Sequence, residues 1–420
     1  MPIRIAYQFL LYVSAVILRI IGVFLSGEAK LNRLLSGRNN TIERLKKLPP
    51  KQKKRVWAHA ASLGEYDMLR PLLKSLEQQN DIEIAVSFFS PSGFEHAEMP
   101  SHWMRLYMLH DTPSAARFFI KKLQPNFVIF AKYEFWLSHL RILNQNQIPF
   151  LYWNTALRAS HFLIQPWAYA WRKALEKALL FACQNKETQR ILNGILPLTP
   201  KLLTGDMRFL QTAQVRDLPG IFTEKEVAQW QEKRNIVWGS SWQEELEVLT
   251  QVIPLNTGDY RFVLAPHDVS EKNLVHIESQ LPGKTQRLSL WLQNPKAEVV
   301  VLVDGIGKLK YIYRYASVAI VGGGFTNALH NIIEPLSLGV PVLFGSNHAK
   351  FPEAQEAINA KAALHADTPK ELTDILTFLL FHQGNEQLIQ FHQNQARAFF
   401  ESNTPNLDVV LPYCTAALTK

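Results

Sequence analysis

Three stretches of the 420-residue sequence bring carboxylates together with small or glycine residues where a strand gives way to a helix. In Ala60-Ala61-Ser62-Leu63-Gly64-Glu65 the small residues allow a tight turn. A helix starting there points its first N–H groups at whatever occupies the turn. Glu65 is then placed either to take a proton from an attacking hydroxyl or to stabilise its own helix through the dipole. In Ala131-Lys132-Tyr133-Glu134-Phe135-Trp136, aromatic residues flank Glu134. That suits a carboxylate that orients a sugar, and it equally suits a second charge at a helix N-terminus. The third stretch runs from Val321-Gly322-Gly323-Gly324-Phe325 to His330-Asn331-Ile332-Ile333-Glu334-Pro335. Strand, glycine turn and helix in succession form an anion cradle of N–H groups. Asn331 and Glu334 stand one helical turn apart, with Glu334 able to accept from ribose hydroxyls.

The elements that must hold these residues alternate in type. Arg55–Ala60, Ile82–Phe89, Trp103–Met108, Phe127–Ala131 and Phe150–Asn154 read as strands. Helical patterns fall between and after them, over Glu65–Gln79, Pro113–Lys122, Glu134–Gln145 and Trp167–Leu180. A proline-rich break from Leu196 to Gly220 precedes a second alternating series, with strands expected at Asn235–Trp238, Arg261–Ala265, Val299–Val303, Val318–Val321 and Val340–Phe344. Helices are expected at Ser241–Val252, Lys308–Tyr315 and Asn331–Ser337, and through much of Pro369–Phe400. Such alternation predicts parallel sheets wrapped by helices. Two doubly wound α/β domains in one chain predict a ligand cleft between them. The expected division is an apolar helix over 1–28, a basic linker over 29–54, an α/β domain over 55–205, an interdomain linker over 206–234, and a second α/β domain with C-terminal helices over 235–420.

The net charge of +9 is unevenly placed. Between Lys30 and Arg55 basic residues crowd the chain, and only Glu43 opposes them. A run like this suits an anionic lipid surface, an acidic substrate or nucleic acid. Without interleaved aromatics or a known nucleic-acid module, the last is not expected. Residues Ile3–Leu25 are nearly all apolar, interrupted by Arg4, Gln8, Ser14, Arg19 and Gly22. This is long enough to span a bilayer, although Arg19 also permits a helix lying in the interface. Positive charge immediately downstream holds the rest of the chain on the cytoplasmic side. Cys183 and Cys414 are far apart and have no metal-type spacing.

Taken together and in order, the three motifs resemble one family: the 3-deoxy-D-manno-octulosonic acid (Kdo) transferases of Gram-negative bacteria. The similarity covers nearly the whole chain. The resemblance implies a GT-B fold of two Rossmann-like domains and an N-terminal membrane segment at the cytoplasmic face of the inner membrane. It implies inverting transfer of Kdo from CMP-Kdo to a lipid A precursor (lipid IVA), with no metal or other cofactor. The Gly64-Glu65 turn looks like the family's Ser-Val-Gly-Glu, whose Glu accepts the proton. Glu134 in Glu-Phe-Trp resembles the Glu of Glu-Leu-Trp, which assists the transition state. Arg208, in Gly205-Asp206-Met207-Arg208-Phe209, stands where the family has Lys and would oppose developing negative charge. Ile306-Gly307-Lys308 and Asn331-Ile332-Ile333-Glu334 are similar to CMP-contacting stretches, and Pro266, His267, Gly323 and Gly324 fall beside them.

The sequence departs from the family in places. Pro-Arg-His-Pro becomes Ala265-Pro266-His267-Asp268, so its Arg is missing, and Gly-Ser-Thr-His becomes Gly239-Ser240-Ser241-Trp242. Gly-Glu-Leu becomes Gly307-Lys308-Leu309, which offers Lys308 as a replacement cation. Two other readings stand beside Kdo transfer. One is a transferase of the same fold acting on another acidic or UDP-linked sugar. The other is a non-catalytic lipid- or sugar-binding relative, against which retention of both glutamates counts.

Overall fold

The structure is a computed structural model. It describes residues 30–419 apart from 80, 257, 282–283, 297–299 and 327–328, together with Tyr7 and Val13. The apolar helix expected over 1–28 lies outside the described residues. Among the described residues no helix is long and apolar enough to cross a membrane.

The chain divides into two compact units, Met1–Met207 with Pro405–Lys420, and Arg208–Thr404. Among the described residues the first unit holds seven parallel strands: β1 Lys54–Ala60, β2 Ile82–Phe88, β3 Met104–Tyr107, β4 Phe127–Ala131, β5 Phe150–Thr155, β6 Leu180–Cys183 and β7 Lys201–Leu203. They lie in the order β3-β2-β1-β4-β5-β6-β7. The central strands are buried on both faces, as in a sheet covered by helices on each side. Strand β1 has a parallel neighbour on each side, β2 and β4. The chain winds outward from there in opposite directions, so the gap between the carboxyl ends of β1 and β4 is the switch point where such sheets take ligands.

The second unit holds β8 Arg234–Ser241, β9 Tyr260–Pro266, β10 Thr285–Arg287, β11 Val300–Leu302, β12 Ala316–Val321, β13 Val342–Gly345 and β14 Ala363–Ala366. Their order is β10-β11-β9-β8-β12-β13-β14. Here the switch point lies between β8 and β12, which pair in parallel. The two switch points put Glu65 and Glu134 on the rim of one sheet, and Trp242 and the glycine turn on the rim of the other.

Several elements differ from the pattern expected of the sequence. The basic linker over 29–54 is largely a helix, Lys30–Lys46. It docks through Arg38, Thr41 and Leu45, all buried and spaced for one helical face. Arg38 Nε donates to Met108 O at 3.0 Å, and Thr41 Oγ1 accepts from Tyr107 N at 2.9 Å. Burial lowers the Arg38 guanidinium to about 10. The helix lies so close to β3 that any side chain at Gly37 would collide with the Tyr107 ring. Its remaining basic residues, such as Arg33, Arg44 and Lys46, stay exposed. The expected helix over Trp167–Leu180 is shorter, Tyr169–Leu175, because Leu180 already begins β6. The interdomain linker expected over 206–234 is mostly two helices, Met207–Arg216 and Glu224–Gln231. Residues 405–420, expected with the second domain, belong to the first unit, where Leu411, Cys414, Ala417 and Leu418 of the last helix are buried.

Candidate active site

In the first unit β1 ends at Ala60 and the helix Leu63–Gln79 begins three residues later. Glu65 sits in its first turn and is 8% exposed. Its Oε2 accepts from Ala61 N at 2.7 Å, while Glu65 N donates to Ser62 Oγ at 3.4 Å. The carboxylate therefore does cap its own turn, as a first-turn glutamate should. It is also chemically unusual. Burial raises its pKa, and so does the charge of Glu134. The Ala61 N–H, Lys132 and His59 oppose the rise. A buried carboxylate shifted upward at the carboxyl end of a parallel strand is placed for proton transfer.

Glu134 is not on a helix. It lies in the turn after β4, and the next helix begins at Leu137. Lys132 starts that turn in the left-handed region, φ 47°. Trp136 Nε1 donates to Glu134 Oε2 at 2.9 Å, and His59 Nε2 lies 3.4 Å from the same oxygen. The Tyr152 hydroxyl donates to Glu134 O at 3.2 Å. These contacts replace the helix-terminal role open to Glu134 in the sequence. His59, wholly buried in β1, is a site residue the motifs do not reveal. Its one signal in the sequence is a titratable group inside an apolar strand.

In the second unit the glycine turn follows β12. Gly323 has a φ of +86°, and a Cβ on Gly324 would collide with the backbone of Gly345. The glycines thus serve turn geometry and close backbone packing. Gly322 N donates to Gly239 O at 2.9 Å, and Gly323 N to Glu245 Oε1 at 3.1 Å. The expected cradle therefore has these two N–H groups already taken within the unit. Glu245, 1% exposed, also accepts from Trp242 N at 2.8 Å through Oε2, and burial raises its pKa. The sequence reading does not single it out.

The rim of the second sheet carries an aromatic stack. The rings of Trp242 and His267 stack at 4.4 Å and 15°, and His330 follows His267 at 4.7 Å and 36°. Trp242 Nε1 donates to His330 Nε2 at 3.4 Å. Burial and the neighbouring His267 lower the His330 pKa. Trp242 and His267 are exposed and open to a flat ligand, while Pro266 is buried at the strand end. Asn331 Nδ2 donates to Glu334 Oε1 at 3.2 Å, and burial raises the Glu334 pKa. Ile332 and Ile333 are buried in the core, so their side chains are not ligand contacts. Ile306 and Gly307 are exposed, and Lys308 is half-buried. Arg208 falls in the second unit and pairs there with Glu353 at 2.8 Å. Among the described residues no group of three or more His, Cys, Asp or Glu side chains is placed to hold a metal ion.

Two parallel-sheet Rossmann-like units resemble the GT-B glycosyltransferases. A solved structure of MurG from Acinetobacter baumannii aligns at a TM-score of 0.53, with 14% identity over 86% of this chain and 98% of that one. UDP-GlcNAc 2-epimerase from Neisseria meningitidis aligns at 0.60, with 14% identity over 86% of this chain and 100% of that one. These likenesses define the fold alone. The sequence comparisons are more particular. Residues 39–211 match the family model described as 3-deoxy-D-manno-octulosonic-acid transferase (kdotransferase). The 3-deoxy-D-manno-octulosonic acid transferase of Aquifex aeolicus is 27% identical over 359 residues, 81% of this chain and 91% of that protein. Over most of its length the chain is similar to proteins described as 3-deoxy-D-manno-octulosonic acid transferases.

Proposed function

We propose that this protein transfers Kdo from CMP-Kdo to a lipid A precursor, lipid IVA, with inversion at the anomeric carbon, on the cytoplasmic face of the inner membrane. Glu65 takes the proton of a glucosamine hydroxyl as its oxygen attacks the anomeric carbon. CMP leaves from the opposite face, so a single displacement inverts the centre. Glu134 supports the transition state, and Arg208 and Lys308 oppose the charge that develops on the leaving phosphate. No metal takes part.

The observation that carries this reading is Glu65 itself. It is a carboxylate fixed at the switch point of the first sheet, with its pKa lifted toward the range useful for base catalysis, inside the residues that match the family. The donor belongs on the second unit, at the rim formed by Trp242, His267, Lys308 and the Asn331–Glu334 pair. The exposed basic residues of helix Lys30–Lys46 suit an anionic leaflet, at about 1 kcal/mol per Lys or Arg near the surface.

The test is transfer from CMP-Kdo, generated in situ, to a tetra-acylated lipid A precursor, wild type beside Glu65→Ala. Transfer by the wild type alone supports both substrate and base. The missing Arg beside Pro266 and the tryptophan at 242 favour one other reading, a different acidic or UDP-linked sugar. Lack of transfer with CMP-Kdo, followed by transfer with one of those donors, would select it.

A further inference from the structure

We propose that His59 is a positioning residue that holds one proton between its Nε2 and Glu134 Oε2, keeping the His59–Glu134 pair neutral beside Glu65. This rests on the reading of Glu65 as the base, and the structural argument for it is independent of the sugar transferred.

His59 Nδ1 lies 3.0 Å from Ser87 O and 2.9 Å from Ser87 Oγ. A carbonyl oxygen only accepts, so the contact with Ser87 O requires the hydrogen on Nδ1; Ser87 Oγ, which accepts from Trp57 Nε1 at 2.8 Å, has a second lone pair for it. Nδ1 therefore carries a hydrogen. A neutral imidazole has only one, which would leave Nε2 a bare lone pair. That lone pair would face Glu134 Oε2 at 3.4 Å, and among the described residues Nε2 makes no hydrogen bond. Two acceptors facing each other in a buried site repel, and a proton between them makes the contact attractive. The ring of Phe130 stands edge-on to His59 at 6.3 Å and that of Trp136 at 5.8 Å, and His59 has no exposed surface. The His59 side of the contact is therefore closed to solvent.

The consequence falls on Glu65. The titratable groups around the pair are Glu65 on its helix, Lys132 and Tyr133 in the turn after β4, and Tyr152 on β5. With the proton in place the pair is neutral overall, and His59 offsets part of the effect of the Glu134 carboxylate on Glu65. Without His59 a lone carboxylate remains there, and Glu65 ionises at higher pH. Among the described residues Glu134 Oε2 is then left with the Trp136 indole alone of the two groups set against it.

The test uses the full chain labelled with 15N-histidine, with His59→Asn to assign the signal. The expected result is a protonated Nδ1 and an Nε2 signal displaced from the bare-nitrogen position, returning to it in Glu134→Leu. A bare Nδ1, or an Nε2 signal that Glu134→Leu leaves in place, overturns the proposal. A second arm measures transfer against pH in His59→Gln and His59→Phe. The acid limb of kcat should move up by roughly one unit in both, with the donor KM unchanged. A purely structural role would lower Tm and leave the limb where it was. If the wild type transfers no sugar, the functional reading fails while the nitrogen spectra still decide this one.

Discussion

Glu65 and Glu134 follow neighbouring parallel strands, and after burial the charge of Glu134 is the largest influence raising the Glu65 pKa. Two carboxylates at one switch point thus acquire different characters. One is shifted and capped by its own turn. The other is held by an indole and an imidazole. Separation of roles between paired carboxylates by their environments is how acid–base sites are generally built.

The first prediction concerns pH. A base must be ionised to work, and the Glu65 pKa is raised, so kcat/KM should fall as pH drops through a value above the ordinary glutamate range of about 4.3. Glu65→Gln should remove about a hundred- to ten-thousand-fold of the rate at neutral pH and abolish that limb. Initial rates across the pH range, wild type against variant, check both.

The same residue predicts a stability effect of opposite sense. A carboxyl group whose pKa is raised on folding favours the folded state below its unfolded pKa, and that contribution is lost as pH rises through the folded pKa. Ionised Glu65 therefore weighs on the fold at neutral pH. Gln can still accept from Ala61 N through its one oxygen, because Oε2 alone makes that bond. Glu65→Gln should melt at or above the wild-type Tm near pH 8, with the gap closing below about pH 4. A lower Tm for the variant at pH 8 would mean the carboxylate is there for the helix, not for chemistry.

Much of this was legible because strands buried on both faces read as continuous apolar runs, so β1, β2, β4 and β5 stand out. The same property hid β6. Glu176 and Lys177 after the preceding helix read as one more polar turn of its amphipathic pattern, so Leu180–Cys183 runs on from it, and only three-dimensional pairing with β5 and β7 separates them. Strands β7 and β10 are three residues long, too short to show a period. Glu65 was legible because its partners, Ala61 and Ser62, are its sequence neighbours. The surroundings of Glu134 were not, since His59 approaches from a strand seventy-odd residues earlier in the chain. Glu245 was hidden for the same reason: its second partner, Gly323, lies far along the chain. The basic stretch over 29–54 read as a linker because its charge outweighs the sparse face of Arg38, Thr41 and Leu45 that docks it.

Trp242 supplies a prediction about the donor. Its ring is exposed and backed by His267, a platform suited to a nucleobase. Loss of base–aromatic stacking costs about 1–3 kcal/mol. Trp242→Ala should raise the donor KM by roughly five- to a hundredfold with little change in kcat. Trp242→Phe should recover most of that loss. Saturation kinetics in the donor at fixed acceptor would show it, and an equal fall in kcat would place Trp242 elsewhere in the reaction.

Glu245 allows the sharpest distinction between substitutions, because each of its oxygens serves a different N–H. Oε2 accepts from Trp242 N and Oε1 from Gly323 N, so one carboxylate ties the start of helix Gln243–Val252 to the glycine turn. Glu245→Ala leaves both donors without their carboxylate, at about 1–3 kcal/mol for each group left unsatisfied. Gln is no rescue here, in contrast to Glu65. Its single oxygen can serve one N–H while its amide group confronts the other. Urea unfolding should therefore rank wild type above Glu245→Gln and Glu245→Gln above Glu245→Ala, with the donor KM rising in the same order. A glutamine variant as stable as the wild type would mean that only one of the two bonds supports the turn.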